Sequence, residues 1–164
     1  MAELVYLSLG SNVGDRPANL RAAIGRLAEA GPVQAVSAFY ETEPVDVRDQ
    51  PWFLNCVVAV ETGIPPRELL NLALAIEREL GRQRTREKGP RTIDIDILMF
   101  GDRSIDEPGL KIPHPAMHER RFVLEPLAEI AADAEHPVLK KTARELLGAL
   151  PAGQSVRRVE AGRA

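Results

Sequence analysis

The stretch of residues 89–100 reads GPRTIDIDILMF. From Ile93 onward it has the apolar, β-branched composition of a buried strand, yet Asp94 and Asp96 stand inside it at alternate positions. Residues two apart on a strand share a face. Asp94 and Asp96 therefore project together, while Ile93, Ile95 and Ile97 project to the other side. The pattern predicts a strand from Ile93 to Phe100 with one apolar face and a carboxylate pair at the start of the other.

Upstream, Pro66 to Leu80 carries Leu69, Leu72, Ala73, Ile76 and Leu80 at helical spacing, with Gly81 placed as the C-terminal cap. Phe53 to Glu61 and Val33 to Tyr40 read as strands, joined by the proline- and charge-rich loop ETEPVDVRDQPW. Leu4 to Leu9 is another apolar run, ended by Gly10-Ser11-Asn12. Asp15 caps a helix with Pro17 in its first turn, Leu20, Ile24 and Leu27 along its stripe, and Gly31-Pro32 at its end. The order is β-α-β-β-α-β, the ferredoxin-like arrangement of the α+β class: an antiparallel sheet with two helices on one face. After Phe100, HERRFVLEPLAEIA and TARELLGAL are helix candidates, although Pro126 would interrupt or start a helix in the first. As extra C-terminal elements they would cover the opposite face and make a three-layer αβα structure. Residues 1–164 read as a single domain, with a loosely ordered polar tail over about 153–164.

The chain has 164 residues, 45% hydrophobic, enough for one core of normal size. Its net charge of -3 does not point to a general nucleic-acid-binding surface. No apolar run approaches the roughly 20 residues that span a bilayer, and the N-terminus lacks the basic start and cleavage site of a secretory signal. A cytoplasmic location, with no membrane partner, is the expectation. The one cysteine, Cys56 in NCVVAV, is expected as a small core side chain.

Two carboxylates this close repel, and burying either without a partner costs several kcal/mol. They sit at a solvated edge, pair with arginines, or hold a hard cation, for which oxygen ligands favour Mg²⁺. The preceding loop, GRQRTREKGPR, holds Arg82, Arg84, Arg86, Lys88 and Arg91 with one acid, Glu87. A charged loop of this kind is usually just solvated. Feeding into a carboxylate pair, it is also suited to gripping phosphate oxygens that a metal bridges to the aspartates. On the preceding strand Phe53 and Asn55 share a face. They are either a core ring with an edge amide, or a ring that stacks on a flat heterocycle beside an amide that reads its edge. His114, between prolines, is open to a structural or a functional reading. GSNVGD lacks the Gly-Lys-Ser/Thr ending of a phosphate-binding loop.

Taken in order and spacing, LGSNVGDR, FYETEPV, QPWFLNCVV, IERELGRQR, GPRTIDIDIL and IPHPAMHERRFVLEPL resemble the 6-hydroxymethyl-7,8-dihydropterin pyrophosphokinase family of folate biosynthesis. The resemblance implies an enzyme that moves pyrophosphate from ATP to the pterin hydroxymethyl group and releases AMP. It implies two Mg²⁺ ions on Asp94 and Asp96, with Arg82 and Arg91 neutralising developing charge. Arg84, His114, Arg120, Glu77 and Ile97 would hold the nucleotide. The pterin would lie between Phe53 and Phe122, its edge read by Asn55 and by the backbone around Thr42, Pro44 and Val45. The loops 10–16, 43–51 and 82–91 would close over the substrates, ATP and a hydroxymethyl-dihydropterin, in a protein expected to be a monomer. Two departures stand out: Lys88 where the family often has an aromatic, and Pro115 where some members carry one.

Two competing readings start from the same residues. One is another Mg²⁺-dependent nucleotidyl- or phosphotransferase on a ferredoxin-like sheet, such as a paired-aspartate nucleotidyltransferase, which would release pyrophosphate rather than AMP. The other is a non-catalytic ferredoxin-like module that binds RNA or a small regulator; an RNA-binding sheet would expose aromatics, of which this chain has 4%, and strand carboxylates would repel a nucleic-acid backbone.

Overall fold

The first helix is set by its cap. Asp15 Oδ1 accepts the backbone N–H of Ala18 at 3.1 Å, and α1 runs over Arg16–Leu27 with Pro17 in its first turn. Leu20 and Leu27 on its inner face are fully buried, each contributing about 1.5–3 kcal/mol. The second helix, α2, spans Pro66–Glu79; Gly81, with φ +85, ends it as its position predicts. The computed structural model describes residues 2–43, 52–81, 92–153 and 155–159.

The strands are β1 (Glu3–Ser11), β2 (Val33–Val36), β3 (Phe39–Thr42), β4 (Phe53–Thr62), β5 (Asp94–Phe100), β6 (Ile105–Glu107), β7 (Leu110–Ile112) and β8 (Val156–Val159). One six-stranded sheet has the order β5-β1-β4-β3-β8, with β2 also on β4, and β6–β7 is a separate hairpin. The pairings of β1 with β4 and β5, and of β4 with β3, are antiparallel. This is the predicted ferredoxin-like α+β arrangement, and α1 and α2 pack on one face. Val5, Leu7 and Leu9 of β1 face them with Leu54, Cys56, Val58 and Val60 of β4 and Ile95 and Ile97 of β5. Cys56 is fully buried and burial pushes its thiol up to about 12, so it is a core side chain.

The opposite face is covered by α3 (Arg121–Ala131) and α4 (Ala143–Gly148), completing three layers. Val123, Leu124 and Leu127 of α3 and Ala143 and Leu146 of α4 pack on Val57, Leu98 and Met99. Strand β5 serves both cores because its register with β1 shifts between Tyr6 and Leu7. The extra residue turns both Leu98 and Met99 toward α3 and returns Phe100 to the α1/α2 side.

Three expectations are corrected. The predicted single strand over 33–40 is two, because Ser37 inserts a break: its Oγ accepts from Val57 N at 2.9 Å and donates to Ala38 O at 2.7 Å. Pro126 neither starts nor stops a helix but lies inside α3. It forfeits one helical hydrogen bond, and the helix holds because its apolar stripe is buried. Finally, residues Val156–Val159, expected within a loosely ordered tail, form β8 on β3, with Phe39 opposite Val159 and Thr42 opposite Val156. The hairpin β6–β7 is unexpected, although Pro108-Gly109 between its strands marks the turn, with Gly109 at φ +75.

Candidate active site

Register across three strands builds the site. Gly10 of β1 stands opposite Asp94 of β5 on one side and opposite Asn55 of β4 on the other. Ser8 stands between Asp96 and Val57 in the next row but one. Directly opposed residues share a face, so Asp94, Asp96, Ser8, Gly10, Phe53 and Asn55 all lie on the face away from α1 and α2. Asp94 is half-buried and Asp96 exposed, whereas Ile95 and Ile97 are buried in the core. The parity of the sequence is the parity of the strand. It also puts the Ile97 side chain on the opposite face from the aspartates, in the core packed against α1 and α2.

Gly10 leaves a bare backbone between the carboxylates and the amide. A Cβ there would lie 2.5 Å from Asn55 Oδ1 and 3.5 Å from Phe53 Cδ1, so only glycine lets the Asn55 amide lie where it does. Asn55 is buried, and its Nδ2 donates to Thr42 Oγ1 at 2.7 Å. Thr42 and Asn55 are therefore brought together as an oriented amide, with the half-buried Phe53 alongside.

Glu77 reaches the same strand from α2. Its carboxylate is buried, and Oε2 accepts the backbone N–H of Ile95, between the two aspartates, at 2.8 Å. β5 is an edge strand, and Glu77 pins it from outside the ladder.

The segment after β7 runs beside β5. His114 N donates to Leu98 O at 2.9 Å, which lays the imidazole beside β5. His114 Nδ1 accepts from Ala116 N at 3.1 Å, leaving the ring proton on Nε2 in the neutral form. Burial holds the His114 pKa below its usual value; the Asp96 carboxylate works against this and the Arg120 guanidinium adds to it. Arg120 Cζ lies 5.5 Å from the centroid of the Phe122 ring. Asp96, His114, Arg120 and Phe122 thus form one neighbourhood. The loop after β1 is held by Asn19, whose Nδ2 donates to Ser11 Oγ (3.1 Å) and Val13 O (2.9 Å).

Arg82, Arg84, Arg91, Pro44, Val45 and Lys88 lie outside the described residues. Among the described residues no group of three or more His, Cys, Asp or Glu is arranged to hold a metal. The donor set on offer is the Asp94–Asp96 pair, which fits a hard cation completing its shell with water and phosphate oxygens. No described helix is long and apolar enough to cross a membrane.

Sequence reasoning does not single out Gly10, whose signal is the glycine closing a strand between two polar-bearing strands. It also misses the bond from Glu77 to Ile95 N, which no local pattern announces.

Residues 6–132 match the family described as 7,8-dihydro-6-hydroxymethylpterin-pyrophosphokinase (HPPK). The chain is 49% identical over 137 residues to a 2-amino-4-hydroxy-6-hydroxymethyldihydropteridine pyrophosphokinase of Bacillus subtilis, covering 82% of each chain. It is 46% identical over 158 residues to the protein of that name from Methylorubrum extorquens, covering 94% of this chain and 98% of the relative. A solved HPPK-DHPS from Plasmodium falciparum superposes with a TM-score of 0.72 at 20% identity over 90% of this chain, which spans 44% of that one; at that identity the likeness is one of fold. The chain belongs to the 7,8-dihydro-6-hydroxymethylpterin-pyrophosphokinase family.

Proposed function

We propose that this protein transfers the pyrophosphoryl group of ATP to the hydroxymethyl group of 6-hydroxymethyl-7,8-dihydropterin, a step of folate synthesis, yielding the pterin diphosphate and AMP. The observation that carries this reading is the in-register row Asn55–Gly10–Asp94. It sets an edge-reading amide and a carboxylate on one face, two strand spacings or about 10 Å apart. A flat heterocycle seated at the first end has its substituent pointing at the second.

The pterin lies between Phe53 and Phe122. Asn55, held by Thr42, presents its amide to the donor–acceptor edge of the ring, with Pro44 and Val45 as further pterin-binding residues. Asp94 and Asp96 would hold Mg²⁺, two ions in this reading, which would offset the phosphate charge. The neutral His114 offers its Nε2–H to the nucleotide, and Arg120 sits beside it. Arg82, Arg84 and Arg91 grip phosphate oxygens and offset the charge that develops on them. The pterin hydroxyl oxygen bonds to the β-phosphorus as the bond from that phosphorus to the α–β bridging oxygen breaks; AMP departs and the hydroxyl proton is released. Positioning and charge compensation suffice for such a transfer. The segments 10–16, 43–51 and 82–91 exclude water, the competing acceptor. The protein works as a cytoplasmic monomer.

The test is product identity. Protein, Mg-ATP and 6-hydroxymethyl-7,8-dihydropterin should give AMP and pterin diphosphate on anion-exchange chromatography. Formation of ADP, or no turnover, rejects the proposal.

A further inference from the structure

The helix that carries Phe122 is tied to the sheet by one acidic side chain outside the site. Glu129 of α3 accepts three hydrogen bonds from β3 and the residue before it. Tyr40 Oη donates to its Oε1 at 2.7 Å, and Ala38 N donates to Oε1 and Oε2 at 3.1 Å each. Arg158 of β8 approaches from the far side, Nη2 to Oε2 at 3.8 Å. Tyr40 is the direct cross-strand partner of Asn55 and is buried. Burial and the facing carboxylate hold its hydroxyl well above the usual tyrosine range, so it remains a permanent donor.

Helix geometry gives this contact its reach. Glu129 and Phe122 are seven residues apart, close to two full turns, so they project from the same side of α3 about 10.5 Å apart along its axis. The apolar stripe of Val123, Leu124 and Leu127 buries α3 but is non-directional. Hydrogen bonds from two donors, the Ala38 N–H shared between both carboxylate oxygens, are directional, and they set the rotation of the helix about its axis. A rotation of α3 carries the Phe122 ring with it.

We propose that Glu129 is a positioning residue for the heterocycle, fixing through Tyr40 and Ala38 the width of the cleft between Phe122 and Asn55. The inference rests on the reading that the pterin occupies that cleft.

Initial-rate kinetics with each substrate varied in turn, alongside thermal melting, test it on Glu129→Gln, Glu129→Ala, Tyr40→Phe, the double variant Glu129→Ala/Tyr40→Phe, and Phe122→Ala. Losing a charge-assisted hydrogen bond predicts a rise of about tenfold in the pterin KM for Glu129→Ala and about fivefold for Tyr40→Phe. The ATP KM should stay within about twofold, since the bonds lost lie on the pterin side. Glu129→Gln keeps an acceptor for Tyr40 and should recover most of the effect. The double variant should be no worse than Glu129→Ala, because both changes break one link. A lower melting temperature with the pterin KM unchanged, or pterin and ATP KM rising together, overturns the inference. If Glu129→Ala does not fold, Tyr40→Phe answers the same question. A Phe122→Ala variant with an unaltered pterin KM rejects the cleft reading itself and this inference with it.

Discussion

Glu77 Oε2 stands 2.8 Å from the backbone nitrogen of Ile95, so a helix of one layer grips the strand that presents Asp94 and Asp96 to another. An edge-strand N–H has no ladder partner on its outer side, and here a buried carboxylate accepts it.

Removing that acceptor frees the strand where the carboxylates leave it. Glu77→Leu should cost about 1–3 kcal/mol of stability, the range for stranding a buried donor, seen as a lower melting temperature. It should also raise the Mg²⁺ concentration needed for half-maximal activity, because the spacing of the two aspartates is no longer pinned. Glu77→Gln keeps an acceptor oxygen and should stay nearer the parent in both. An unchanged Mg²⁺ titration in a folded Glu77→Leu protein would show that the bond is structural only.

Gly10 makes a sharper case, since it bears no functional group. A methyl group there would press on Asn55 Oδ1 at 2.5 Å, and the amide cannot retreat without losing its 2.7 Å bond to Thr42 Oγ1. Gly10→Ala should therefore raise the pterin KM about tenfold or more, by displacing the reading group, while the ATP KM changes little. Overpacking of this kind costs about 1–3 kcal/mol, so a modest loss of melting temperature accompanies it. Isothermal titration with the pterin alone would separate the two effects. Parent-like pterin affinity would mean that Asn55 is not a reading group.

Local pattern makes much of this legible. Alternation in IDIDI places Asp94 and Asp96 on one face and the isoleucines in the core, because a strand has a two-residue period that needs no tertiary information. The same parity pairs Phe53 with Asn55. What is not legible depends on partners far along the chain. Ser37 breaks its strand by bonding Val57, twenty residues away, and nothing in VSAF marks it. SVRRV pairs as β8 although its arginines are exposed; a short edge strand carries no apolar alternation to read. Glu129 looks like an ordinary solvated position between Leu127 and Ile130 until α3 is laid on β3. The cationic loop over 82–91, read from the sequence as suited to gripping phosphate oxygens, lies outside the described residues.

His136 gives the fold a pH dependence whose sign follows from its surroundings. The side chain is buried, and Nδ1 accepts from Val138 N at 3.2 Å and Leu139 N at 3.1 Å, which requires that nitrogen to be unprotonated. Burial, and then the neighbouring His118 ring whose centroid is 6.3 Å away, hold its pKa below the ordinary 6.5. The folded state therefore binds this proton less readily than the unfolded chain does. Stability is independent of this group well above pH 6.5 and is lost as the pH falls through 6.5 toward the lower folded value, since the unfolded chain takes up the proton first. His136→Asn keeps a side-chain acceptor for the two backbone N–H groups and cannot titrate. His114, also shifted downward, contributes with the same sign and remains in the variant. The expected result is a melting temperature close to the parent at pH 7.5 and a smaller fall between pH 7.5 and 5.5. Equal falls in the two proteins would show that His136 titrates no differently folded than unfolded.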